Sequence, residues 1–181
     1  MLSVQDNWEP ARKAFEAALR IDPSYIEALD GLGFALEALG DDAGAIAKYQ
    51  RAIELNAARG GSFSSAHVNL SAYYNRTGDP DKALEYARQA IELDPKSDRA
   101  WFQKGRADER RGSLDDAVAA LNHAIALNQK AASYYYVLAN VYRRLGWAEE
   151  SRKALEMFKR LEQESSELDK KRRSGAGTGR E

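Results

Sequence analysis

Apolar side chains along this chain fall at helical spacing, and the segments that carry them repeat. With Ile26, Ser64, Asp98 and Ala132 as equivalent first positions, the units start 38, 34 and 34 residues apart. The longer first interval absorbs four extra residues near Ala58-Arg59-Gly60-Gly61. Small residues return at fixed places: Gly33, Ser71, Gly105 and Ala139 at position 8, and Ala45, Ala83, Ala117 and Ser151 at position 20. Position 27 holds Ala52, Ala90, Ala124 and Phe158, and position 30 holds Leu55, Leu93, Leu127 and Leu161. Two antiparallel helices approach closely only where their side chains are small, and larger apolar residues between those points fill the space at close-packed density. The pattern therefore predicts a helical hairpin in each unit.

Polar and backbone signals punctuate these segments. Gly40, Gly78, Gly112 and Gly146 each follow a helix-like stretch, where a left-handed residue ends a helix at least cost without a Cβ. Ser24 with Glu27 reads as a capping box, as does Ser113 with Asp116 in weaker form. Asp79-Pro80 sets a capping carboxylate before a proline at the first helical position.

These residues resemble the tetratricopeptide repeat (TPR) family, whose units are helix–turn–helix pairs of this period. The resemblance rests on Trp101 and Tyr135 at position 4, Leu32, Leu70 and Leu138 at position 7, Tyr74 and Tyr142 at position 11, and Tyr49 at position 24. It runs from about Trp8 to Leu161, with departures at His67, Lys104 and Asp108. It implies an all-α fold, a right-handed superhelical solenoid of antiparallel helix pairs. The expected organisation is a half repeat with only its second helix over 8–24, then full repeats over 26–59, 64–97, 98–131 and 132–165. The last helix is expected to extend to about residue 171, before a disordered basic and glycine-rich tail over 172–181.

The half repeat creates an expectation of its own. Without a first helix, the apolar side around Phe15 and Leu19 would lack its usual partner. Three explanations stay open: the chain belongs to a longer array, that face supports self-association through the uncapped N-terminal helix, or the helix is an ordinary frayed end.

The resemblance further implies that positions 2, 5, 6, 9, 12 and 13 of each first helix line a concave groove. On that basis the peptide-binding groove is expected to use Phe34, Asn69, Arg76, Arg99, Phe102, Arg106, Arg110, Tyr136, Asn140 and Arg143. The first repeat is acidic there (Glu27, Asp30, Glu37), and the last two are mainly basic. Arginine forks hold carboxylates bidentately, so the expected partner is a protein or peptide with an acidic segment. The family's clamp for acidic chaperone tails is matched only by Asn69 and Arg99; Asp30 would repel a carboxylate there.

Composition narrows the remaining classes. Net charge is −1 in 181 residues, so no global basic field points to nucleic acid or an anionic membrane. Cysteine is absent, which removes disulfides and thiolate chemistry. The two histidines, His67 and His123, lie in different repeats without metal-ligand spacing, and His67 occupies a packing position. In the Tyr134-Tyr135-Tyr136 run, neighbours on a helix point in different directions; Tyr135 is expected in the packing and Tyr136 in the groove. The reading is a binding scaffold without enzymatic activity, metal or cofactor, cytoplasmic by default. Its alternative is a self-associating structural segment or the regulatory TPR portion of a larger protein.

Overall fold

A computed structural model describes residues 8–175, with side chains through residue 172. Among the described residues there are nine helices and no strand: α1 (Trp8–Ile21), α2 (Ile26–Ala38), α3 (Asp42–Ala58), α4 (Ser65–Thr77), α5 (Pro80–Leu93), α6 (Asp98–Arg111), α7 (Leu114–Leu127), α8 (Ala132–Leu145) and α9 (Ala148–Gly175). The chain divides into two compact units, Met1–Lys96 and Ser97–Glu181.

In the first unit α2–α3 and α4–α5 form hairpins, α1 packs on α2, and α4 packs on both α3 and α2. The small positions do what their spacing requires. Ala45, Ala52, Ala83 and Ala90 have no exposed surface. A methyl on Gly33 would lie 2.7 Å from the Tyr49 ring, which is itself fully buried. Tyr49, Leu70, Ile26 and Leu29 make one core cluster with Ala45, Ala52 and Ala66. Burial of side chains this large contributes about 2 kcal/mol each.

The second unit repeats the scheme, with hairpins α6–α7 and α8–α9 joined through α7–α8 and α6–α8 packing. Ala117, Leu121, Leu138 and Val141 form its core. Gly105 meets Leu121 as Gly33 meets Tyr49, again 2.7 Å from where a Cβ would stand. The two departures from the family pattern in α6 compensate each other. Lys104 donates to Asp108 over 2.6 Å, and the carboxylate is only 4% exposed.

The predicted stops hold, and the predicted caps hold only in part. Gly40, Gly78, Gly112 and Gly146 all take positive φ; at Gly78, φ is 88° and its N–H closes onto the Tyr74 carbonyl. Asp79 accepts from the Lys82 N–H at 3.1 Å, with Pro80 opening the helix. The Ser24–Glu27 capping box is not formed. Ser24 instead gives both its N–H and its hydroxyl to Asp22 Oδ1 at 2.8 and 2.7 Å, and Tyr25 becomes the residue before α2. Ser113 likewise precedes α7 without a side-chain cap. Asp41 and Ser97 do cap, accepting from Gly44 and Ala100.

The ends also differ from expectation. Phe15 and Leu19 are half-buried: the Phe15 ring lies against Gly31 so closely that no Cβ fits there, and Leu19 packs on the first core. No residue of α1 is buried, however, and Ile21 is 88% exposed. At the other end α9 runs on to Gly175, so residues 172–175, expected in a disordered tail, are helical. Residues 176–181 of that expected tail lie outside the described residues.

Candidate functional site

The expected groove residues fall into two sets, one in each unit. Phe34, Asn69 and Arg76 belong to the first. Phe34 is exposed and meets the Trp8 ring edge-on at 5.1 Å. With Glu37, Ala38 and Arg76 it lines a cavity of about 260 Å³. Arg76 donates to Glu37 at 3.1 Å, approaches Asp42 at 3.5 Å and lies over the Tyr73 ring at 5.2 Å. These acids hold its guanidinium protonated against the effect of its partial burial. Glu37 is in turn bonded by the Tyr49 hydroxyl at 3.1 Å.

Asn69 stands differently from its expected place. It is buried, and its side-chain N–H donates to Asp30 Oδ1 at 2.9 Å while the Ser65 hydroxyl takes Oδ2 at 2.8 Å. This bridge ties α4 to α2. Asp30, acidic in a predicted groove position, thus has both carboxylate oxygens engaged by hydrogen bonds within the stack. Sequence reading missed the link because its partners are 35 and 39 residues apart.

Arg99, Phe102, Arg106 and Arg110 lie on α6 of the second unit, and Tyr136, Asn140 and Arg143 on α8. Spacings of three and four residues set each group along one stripe of its helix. Two bridges fix the register of α6 and α8. The Tyr134 hydroxyl donates to Asp98 at 2.9 Å near the start, and Arg144 donates to the Glu109 carbonyl at 2.8 Å near the end. Interpolation between them sets Arg106 level with the Asn140–Arg143 turn.

The electrostatics of this face are one-sided. Asp98 accepts from Tyr134 and from Asn128 at 2.7 Å, Asp108 holds Lys104, and Glu109 lies 3.6 Å from Arg144. Arg106, Arg110 and Arg143 make no salt bridge among the described residues. Arg106 sits over the Phe102 ring at 5.8 Å, and Phe102 in turn stacks on Tyr134 at 4.4 Å. Burial, then the like charge of Arg110, press the Arg106 guanidinium below its ordinary range, and Glu109 offsets this only in part. Burial and the bond to Asp98 push the Tyr134 hydroxyl up, so it remains a donor. A guanidinium over an aromatic ring with no carboxylate in salt-bridge range has the chemistry to accept a planar anion.

Tyr136 is 49% exposed, with its ring 5.3 Å from Phe158 of α9. Tyr135 is half-buried, and Tyr134 is the tyrosine of this run that the core takes in. His67 is buried, 6.4 Å from the Tyr86 ring, and its Nδ1 has no hydrogen-bond partner. Burial lowers its pKa, so the ring is neutral. The His123 ring lies tilted against Trp101, with centroids 4.1 Å apart. Among the described residues no three His, Cys, Asp or Glu side chains gather as a metal site, and no helix is long and apolar enough to cross a membrane.

Comparison with known proteins agrees with this architecture. Models of the tetratricopeptide repeat match residues 24–96, 76–141 and 132–162, and the chain belongs to that family. A relative in Schizosaccharomyces pombe, anaphase-promoting complex subunit 3, is 26% identical over 143 residues, 79% of this chain. The chain spans 21% of that subunit's length. Among solved structures, MamA superposes with a TM-score of 0.71 at 19% identity, over 92% of this chain and 99% of MamA. A chain of the APC/C hetero-tetramer Cut9–Hcn1 superposes with a TM-score of 0.76 at 20% identity, over 86% of this chain and 31% of its own length. The fold is therefore that of TPR solenoid proteins, a family of protein-interaction scaffolds.

Proposed function

We propose that this chain is an adaptor that holds an extended or helical peptide on the face of α6 and α8, with an acidic portion of the peptide against Arg99, Arg106 and Arg143. The observation that carries the reading is Arg106: partly desolvated over Phe102, beside Arg110, with no carboxylate in salt-bridge range. An arriving carboxylate relieves the repulsion between the two guanidiniums and adds a charge-assisted bidentate contact. Phe102 and Tyr136 supply aromatic anchors of the kind that dominate interface energetics. Asn140 offers both a donor and an acceptor to an extended backbone. In the first unit, Phe34 and Arg76 beside their small cavity form a second contact area, suited to a side chain more than to an anion because Arg76 already holds Glu37. The role is binding, without catalysis.

Fluorescence anisotropy with a labelled peptide rich in Asp and Glu tests this. Arg106→Glu with Arg110→Glu is expected to weaken binding by at least about tenfold, which is 1.4 kcal/mol. Unchanged binding in a variant that remains folded contradicts the proposal.

A second reading, self-association through α1, draws on the 88% exposure of Ile21 and the absence of any buried residue in that helix. Ile21→Glu with Ala14→Glu would abolish an oligomer held together in that way.

A further inference from the structure

At position 4 the second full repeat departs from the two that follow it. The third repeat has Trp101 there and the fourth Tyr135, but the second has His67. In the third repeat the Trp101 indole lies against His123, at position 26 of the same hairpin. In the second repeat position 26 is Gln89, and Gln89 and His67 both line a cavity of about 270 Å³. An imidazole has one ring where an indole has two. The smaller side chain thus stands beside open space at the place that an aromatic group covers in the next repeat.

The cavity has built walls. α3 supplies Ile53 and Ala57, α5 supplies Gln89, Glu92 and Leu93, and His67 comes from the first turn of α4. The inserted segment closes one end. Buried Asn56 holds the Gly61 carbonyl and the Phe63 N–H, both at 3.1 Å, and a Cβ on Gly61 would lie 2.3 Å from Asn56 Oδ1. This wall is therefore fixed before any ligand arrives, which lowers the ordering cost of binding. His67 is 6% exposed, and its Nδ1 makes no hydrogen bond among the described residues. A buried polar group without a partner is destabilising. The χ2 torsion of an imidazole is broad and roughly two-fold, so the ring can turn a nitrogen toward a partner in the cavity. Glu92 is exposed at the mouth, and no lysine or arginine lines the site, which favours a hydrogen-bond donor over an anion. A cavity of about 150 Å³ holds benzene, so this one admits two fused rings.

We propose that this cavity is a binding site for a flat, uncharged aromatic ring system that carries an N–H donor, of which indole is the type. The ring packs on the apolar walls of α3 and α5, and its N–H gives the His67 imidazole the hydrogen bond it lacks. An indole N–H finds a partner when buried, so ring and nitrogen are satisfied together. The ligand supplies from outside the aromatic group that Trp101 supplies from within the chain in the third repeat. Its source is a free heterocycle or the tryptophan side chain of a partner protein, and the recognition chemistry is the same for both. The site lies wholly within the first unit and does not depend on the reading of the α6–α8 face.

The test is titration of the full chain with free indole, followed by nitrogen NMR of the His67 ring and the Gln89 side-chain amide. Saturable shifts centred on these two residues are expected. Indene, which has the same shape without the N–H, is expected to bind about fivefold more weakly, the equivalent of one neutral hydrogen bond. His67→Trp puts the indole into the chain and is expected to weaken binding of free indole at least about tenfold. Ala57→Trp, at an exposed position on α3, blocks the mouth and is expected to do the same; circular dichroism checks that both variants remain helical. A glycine pentapeptide with one central tryptophan separates the sources. If it displaces indole at comparable or lower concentration, the ligand is a partner's tryptophan; if indole binds and the peptide does not compete, the ligand is a free molecule. Either result supports the site. Indole that gives no saturable shift overturns the proposal. So does binding that persists in both folded variants, and so does indene that binds as tightly as indole.

Discussion

The hydroxyl of Ser71 on α4 donates to the backbone carbonyl of Ala83 on α5 at 2.7 Å, with both residues wholly buried. The last hairpin carries the same link with its ends exchanged: Ser151 on α9 donates to the carbonyl of Ala139 on α8 at 2.9 Å. Positions 8 and 20 are thus where the two helices of a hairpin come nearest, and a serine at either one bonds across the gap. Ser71→Ala keeps the close approach and removes the bond, so it is expected to cost about 1 kcal/mol. Ser71→Val adds bulk where no space exists and is expected to cost more, about 2–3 kcal/mol. Urea unfolding checks both values, and the order alanine above valine is the diagnostic result.

Asn56 secures the segment inserted between the first two full repeats. Its side chain donates to the Gly61 carbonyl and accepts from the Phe63 N–H, both at 3.1 Å, and the residue is 3% exposed. Asn56→Ala strands both backbone groups and is expected to cost about 2 kcal/mol. Hydrogen exchange at the Phe63 amide should accelerate, with little change in α7.

Lys104 and Asp108 stand where other repeats have leucine and tyrosine. Lys104→Met leaves the Asp108 carboxylate buried and unpaired, with an expected loss of about 3 kcal/mol. The double change Lys104→Leu with Asp108→Tyr restores the family residues and is expected to recover most of that loss. A double-mutant cycle in denaturant measures the coupling.

His67 gives the first unit a pH dependence. Burial lowers its folded pKa below the 6.5 of the free side chain. Between the two values the unfolded chain binds the additional proton, so stability is full above about pH 6.5 and declines as pH falls through the folded pKa. His67→Gln is expected to flatten the melting temperature against pH over that window, leaving the carboxylate titration at lower pH in place.

The parts of this fold legible in the sequence are those set by contacts within a hairpin. Ala45, Ala83 and Ala117 announce the close approach because no larger side chain fits there, and Gly78 and Gly112 announce the turn because other residues resist positive φ. Links between repeats were not legible. Asp30 with Asn69, and Asp98 with Tyr134, depend on the register of two helices more than 30 residues apart, which local spacing does not encode. The Ser24 cap failed because Asp22, two residues away, competes for the same serine. At the candidate site, sequence alone picked out the arginines. That Arg76 is held by Glu37 while Arg106 lies over Phe102 with no carboxylate in salt-bridge range required coordinates.

The most direct test of the central claim is arginine side-chain NMR of the full chain, following each Nε–H during titration with an acidic peptide. The account predicts saturable shifts at Arg106, Arg110 and Arg143 with the Asn140 amide, and their loss when every Glu and Asp of the peptide becomes Gln and Asn. Shifts centred on α1, or shifts at α6 and α8 that are indifferent to the peptide's charge, would contradict it.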